Sequence, residues 1–241
     1  MRLERFAERA DRMWEEIPPR FKEGIDALVV EEEAVPHPDI PGIYTLGQCL
    51  TAHWPDAYGG EGDVRSRIVL YHGSFSALAA ESDGFDWEDE LWETLLHELL
   101  HHREFAAAED GLERYDEAVE QDFRRHAGRP FDPAFYRDVP AAEDGTVRIE
   151  SETFVEATVG PAAERAEFTW RGRRWAVEIP PGEAVRYVRV VNLAGGRLWL
   201  VVWRRRPWWR RLLPAGEAGV EELERRARPA AARPDATPGE R

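Results

Sequence analysis

"ETLLHELLHHREF", residues 93–105, sets His97, Glu98, His101 and His102 in a run otherwise rich in leucine. Leu91, Leu95, Leu96, Leu99 and Leu100 give the run more than one apolar side, so it reads as a long helix buried on several faces. Packing alone asks for no imidazoles and no carboxylate there. On a helix, positions i and i+4 share a face one turn apart, so His97 and His101 can meet one metal ion while Glu98, turned to the side, reaches water on that ion. Zinc takes nitrogen ligands at about 2.0–2.1 Å, and a catalytic site keeps one position for water. The metal brings the pKa of that water towards about 7, and the carboxylate accepts its proton as it attacks a carbonyl. The competing reading is a partly buried helix whose histidines bond to backbone or carboxylates. Asp86 ahead of the run is a fair N-cap, with Asp89 or Glu90 in the first turn.

Outward from this helix the chain divides by its periodicities. Leu3, Phe6, Ala7, Ala10, Trp14 and Ile17 follow helical spacing, ended by Pro18-Pro19. Phe21 to Leu28 reads as a second short helical piece and "ALVVEEEAV" as a strand. Pro36, Pro38 and Pro41 mark a loop, and "GIYTLGQCLT" reads as a short strand and turn. "SRIVLYHGSFSAL" begins as a β run, Ile68 to Tyr71, and turns at Gly73. A helix spans Leu112 to His126, and "GRPFDP" breaks it. After about residue 145 come "TVRIESETFVEATV", "RAEFTWRGRRWAVEIP", "VRYVRVVNL" and "RLWLVVWRR", four or five strands with hairpins at Arg171-Gly172 and Gly195-Gly196. From Ala215 the chain is rich in Ala, Arg, Pro and Glu and reads as a flexible tail.

In order along the chain, "ALVVEEE", "PGIYTLG", "SRIVLYHGSF" and "HELLHH" resemble the segments of the minimal zincin-like bacterial metallopeptidases. In that family a "V-V-V-E" strand, a "G-L-Y-x-G" segment, an "R-I-x-I-Y-R-G" strand and H-E-x-x-H-H follow an amphipathic helix. The resemblance covers roughly residues 1 to 125. It implies a compact α+β zincin-like fold with a small mixed sheet, a bound zinc and peptidase activity on a peptide or protein substrate.

The resemblance also implies a third ligand, and here the chain departs from the pattern. Family members continue "H-H-F-G-x-x-D", where a glycine turn brings round an Asp six residues past the second histidine. This chain has no glycine in "HHREFAAAED", and Ala107 stands in place of that Asp. Asp110, followed by Gly111, matches if three residues are inserted and ranks first; Asp116 in "RYDEAV" ranks second. Glu104 shares the face of His97 and His101, but one straight helix rarely wraps three ligands around an ion, and His126 is remote. His102, at i+5 from His97, turns away from the metal towards packing. Tyr71 and His72 end the strand before the helix. "RIVLY" could align an extended peptide by backbone hydrogen bonds, although an ordinary core strand is the simpler reading for its side chains.

The chain has 241 residues, enough for one or two domains, and a formal charge of −15, which speaks against nucleic-acid binding because a polyanion is repelled. Its basic charge is almost all arginine, Lys22 being the only lysine, and with the Ala and Pro usage this reads as the coding bias of a GC-rich bacterium. Cys49 is alone, so no intrachain disulfide forms, and no apolar run marks a signal peptide or a spanning helix. A cytoplasmic protein is expected. "WRRRPWWRRLLP", with Trp203, Trp208 and Trp209, interleaves aromatic and basic residues as a membrane-surface contact or a single-strand platform would. A last strand and turn folded back on the β unit is the preferred reading in so acidic a chain. The expectation is thus an α+β chain: a zincin-like domain over 1–140, a small β-rich domain over 145–214 and a tail over 215–241. Zinc lies on His97, His101 and Asp110, with Glu98 as general base. A metal- or partner-binding protein without catalysis is the alternative.

Overall fold

The computed structural model describes residues 1–54, 63–107, 109–182, 184–193, 195–205 and 219–230. The chain forms two compact units. The first holds Met1–Asp116 and His126–Gly128, and the second Glu117–Arg125 and Arg129–Arg241. The architecture is α+β throughout the first unit, with a β-rich second unit.

In the first unit α1 (Leu3–Glu16) turns Phe6 and Ala10 inward, and Pro18-Pro19 ends it as the spacing predicts. The helical reading of Phe21 to Leu28 is corrected. A 3-10 turn at Pro19–Phe21 is cut short by Gly24 (φ 85°), and β1 (Ile25–Glu31) follows because its branched residues pair with a neighbouring strand. Two strands of two residues each, β2 (Val35–Pro36) and β3 (Tyr44–Thr45), pair antiparallel. Next come β4 (Gly47–Trp54) and β5 (Asp63–Tyr71). β5 is the central strand, parallel to β1 and antiparallel to β4, so "RIVLY" is the ordinary core strand of the simpler reading and has no free edge to offer a peptide. The edge beside the motif helix is β4.

Gly73 does not make a turn. It lies in the first turn of α2 (His72–Glu81), where a Cβ would stand 2.5–2.6 Å from the backbone of Glu32, Glu33 and Ala34. The motif helix is α3 (Trp87–Ala107), capped as expected by Asp86, whose Oδ1 accepts from the Glu88 and Asp89 N–H groups at 2.9 and 3.2 Å. Phe6, Ala10, Ile17, Ile68, Leu70, Phe75, Leu91, Leu95 and Leu99 form one core between the helices and the sheet. Each large side chain in it contributes about 1.5–3 kcal/mol by leaving water.

Helix α4 (Gly111–His126) passes from the first unit into the second at Asp116–Glu117. The second unit therefore starts earlier than the expected border near residue 140. The reason is packing: Phe135 and Tyr136 stack on Tyr187 and Phe154, and the Arg125 guanidinium lies 4.3 Å from the Trp199 ring. The strands here are β6 (Val147–Ile149), β7 (Glu152–Val159), β8 (Arg165–Trp170), β9 (Arg173–Glu178), β10 (Val185–Val190), β11 (Arg197–Arg204), β12 (Val220–Arg225) and β13 (Arg228–Pro229). One sheet runs β12-β10-β11-β7-β6, the other β13-β9-β8. Val155, Phe168, Trp170, Val177, Val188, Leu198 and Leu200 fill the space between the sheets, while Phe154, Tyr187 and Trp199 are buried on the larger sheet's other face. Burial on both faces explains why "LWLVVW" is continuously apolar.

The β8–β9 hairpin turns where Arg171-Gly172 predicts, both residues at positive φ (49° and 72°). Part of the expected tail is structured. β12 adds in parallel to β10, and Leu223 packs on the core, a single apolar residue hidden in a charged run. Trp203 lies on β11, its Nε1–H donating to the Tyr136 hydroxyl (2.7 Å) and its ring 4.3 Å from the Arg137 guanidinium. Trp208 and Trp209 fall outside the described residues. Among the described residues no helix is long and apolar enough to cross a membrane.

Candidate metal centre

α3 works because its faces are specialised. Leu91, Leu95 and Leu99 enter the core. Thr94, Glu98 and His102, at i, i+4 and i+8, form a buried polar stripe against the sheet. Leu96 and Leu100 are exposed, and His97 and His101 form a partly exposed stripe facing Asp116 of α4.

Across that stripe, His97 Nε2 and His101 Nε2 are 3.2 Å apart, and Asp116 Oδ2 lies 3.3 Å from the first and 2.8 Å from the second. A tetrahedral ion with bonds of about 2.0–2.1 Å needs donors about 3.3 Å apart. Two imidazole nitrogens and a carboxylate oxygen at these separations fit zinc in both number and chemistry. Burial pushes the Asp116 carboxyl up, but the hydrogen bonds and charge of His101 and His97 outweigh it and bring it down to about 2. The group is ionised, as a ligand must be.

Asp110, ranked first from sequence, is not brought to the histidines. It sits just before α4 begins at Gly111, largely exposed, paired with Arg114 one turn on at 3.0 Å. Asp116, further along α4, takes its place. Glu104 does not join the group of His97, His101 and Asp116: its Oε2 accepts from the Leu112 N–H at 2.7 Å. His126 closes the far end of α4.

Glu98 points to the sheet and is 6% exposed. Burial raises its carboxyl above the ordinary value, more than the nearby His97 and His101 and the Cys49 backbone N–H lower it. β4 approaches so closely because its first residue is glycine: a Cβ on Gly47 would stand 2.8 Å from Thr94 Cγ2 and 2.9 Å from Glu98 Cγ.

His102 is buried. Its Nε2 is 2.7 Å from the Glu23 carbonyl and so must carry the proton. Its Nδ1 is 2.7 Å from Ser66 Oγ, which is 2.9 Å from Thr51 Oγ1. Tyr71 is also buried, its hydroxyl donating to Gln48 Oε1 at 2.6 Å. The supporting residues Gly47, Cys49, Thr51 and Ser66 were not singled out from sequence. The spacing of Thr94, Glu98 and His102 was the available signal, three polar residues on one stripe of a leucine-rich helix.

A family model described as zincin-like metallopeptidase matches residues 22–118. Among solved structures, a conserved hypothetical protein from Thermus thermophilus is 45% identical over 44% of this chain and 96% of its own, with a TM-score of 0.37. No curated protein matches the chain. The matched residues hold β1 to β5, α3 and the start of α4, with His97, Glu98, His101 and Asp116 among them. Through residues 22–118 the chain belongs to the zincin-like metallopeptidase family.

Proposed function

We propose that the first unit is a zinc-dependent peptidase in which His97, His101 and Asp116 hold the metal and Glu98 is the general base. The observation that carries this is the approach of three donors to within 2.8–3.3 Å of one another, with a carboxylate at the intervening helix position. Zinc, when bound, supplies Lewis acidity that polarises a carbonyl and acidifies water. Asp116, being ionised, offsets part of the ion's charge and ties α4 to α3. Glu98 takes a proton at its carboxylate from the attacking water and returns it to the departing amine; its raised affinity for protons suits both transfers. The exposed edge of β4, beside Glu98, is where an extended peptide backbone can pair.

Zinc content and cleavage of a mixed peptide library test the proposal together. Wild type is expected to hold one zinc and cleave. E98Q is expected to keep zinc without cleaving, D116A to lose both, and D110A to lose neither. Cleavage by E98Q at the wild-type rate would remove Glu98 from the chemistry.

A second reading, metal binding without catalysis, is favoured by one observation: Glu98 is buried and bonded to the Cys49 N–H. It predicts zinc in wild type and E98Q alike, and no cleavage by either.

A further inference from the structure

We propose that Glu104 is a positioning residue that aims the third ligand, Asp116, at the two histidines. This rests on the ligand set proposed above. His97, His101 and Glu104 stand at i, i+4 and i+7, one stripe along α3. Leu112 and Asp116 stand at i and i+4, one stripe along α4. The two stripes are joined by consecutive rungs: Glu104 Oε2 to the Leu112 N–H at 2.7 Å, then Asp116 Oδ2 to His101 Nε2 at 2.8 Å and His97 Nε2 at 3.3 Å.

The Glu104 rung satisfies a first-turn N–H of α4, which has no acceptor within its own helix, and sets a negative charge at the positive end of the helix. The Glu109 N–H returns to the Glu104 carbonyl at 2.9 Å. Both the side chain and the backbone of Glu104 therefore fix where α4 starts. Asp116 lies one turn beyond the gripped amide, so the start of α4 decides where its carboxylate arrives. The face-sharing that makes Glu104 look like a ligand in sequence serves instead to hold the helix that carries the ligand.

Zinc affinity, measured by competition with a chromophoric chelator on the full chain, tests this. Met and Gln both favour helix and match the length of Glu, but only Gln keeps an oxygen for the Leu112 N–H. E104M is expected to bind zinc about 10–100-fold more weakly, the scale of losing an outer partner of a metal ligand, while E104Q retains most of the affinity. D110N, at the same helix start, is expected to bind as wild type. Circular dichroism of the metal-free forms checks that all are folded. Wild-type affinity in E104M beside a weakened D116A overturns this proposal alone, as does an equal loss in E104M and E104Q or a loss in D110N as large as in E104M. Undiminished affinity in D116A overturns the ligand set and this proposal with it.

Discussion

Replacing Gly47 by alanine tests how the base is held. The new Cβ would sit 2.8 Å from Thr94 Cγ2, 2.9 Å from Glu98 Cγ and 3.0 Å from Glu98 Oε1, where ordinary contact begins at 3.4 Å. Helix and strand must part by at least about 0.6 Å, or Thr94 and Glu98 must leave their rotamers. Gly47 has no left-handed φ, so the backbone accepts alanine and the cost is steric. Overpacking of this kind costs about 1–3 kcal/mol. Stiffening the unfolded chain returns about 0.4–1 kcal/mol, leaving a net loss of about 1–2 kcal/mol. Urea unfolding should register it as a lower midpoint at unchanged slope. T94S removes the atom in closest conflict, so G47A/T94S should be more stable than the two single changes predict by addition, by about 0.5–1 kcal/mol. Zinc affinity should hold, because the ligands leave α3 from another face. Turnover should fall by about 10- to 100-fold as Glu98 shifts. Strict additivity, or a G47A midpoint equal to wild type, would refute the claim that α3 rests on the backbone of β4 at this point.

Other outcomes follow from the second unit and the first core. The Arg125 side chain is fully buried, bonding Asp122 at 2.9 Å, Glu152 at 2.5 Å and Glu222 at 2.7 Å. R125M should destabilise the second unit by about 3–5 kcal/mol, because it strips a guanidinium from buried carboxylates; a calorimetric trace like that of wild type would contradict this. Burial raises the Glu156 carboxyl, but hydrogen bonds from Arg137 and Tyr136 bring it below its ordinary 4.5. Its contribution to stability is therefore complete above about pH 4.5 and is lost as pH falls through the folded value. The stability gap between wild type and E156Q should be flat from neutral pH to about 5.5 and close in more acid solution; a gap that widens in acid would reverse the assignment. L95A should cost the first unit about 2–5 kcal/mol in urea, and a loss below 1 kcal/mol would place Leu95 outside the core.

Much of the first unit was legible because the relevant signals are local. The spacing of His97 and His101, the Asp86 cap and the Pro18-Pro19 stop each act within a few residues, and each lies where the periodicity puts it. The errors share a different cause. Gly73 looks like a turn, yet it is glycine because a distant strand end, Glu32 to Ala34, passes too close for a side chain. Gly47 looks like a turn beside a short strand, yet it is where a sheet edge meets a helix. β12 is hidden because its neighbour β10 supplies the pairing that its own charged sequence does not advertise. In each case glycine or a polar residue answers a partner far away in the chain, which no local window contains.

The third ligand belongs to the same class of problem, and it shows why counting residues from a motif fails once a helix is extended. In sequence Asp110 ranks first because it is the nearest acidic residue that matches the family's Asp once three residues are inserted, and it is followed by glycine. Distance along the chain says nothing of direction, however, and the direction of a ligand on a second helix depends on where that helix starts and how it is rotated. α3 continues to Ala107, so the reversal comes late, and Asp110 falls at the mouth of α4, where Arg114 takes it. Helical spacing from the first gripped amide, Leu112, selects Asp116, one turn on and on the same stripe. The deciding contact is the bond from Glu104 to that amide. It pairs a residue from the long motif helix with the backbone of the next, and nothing in the identity of Leu112 announces it.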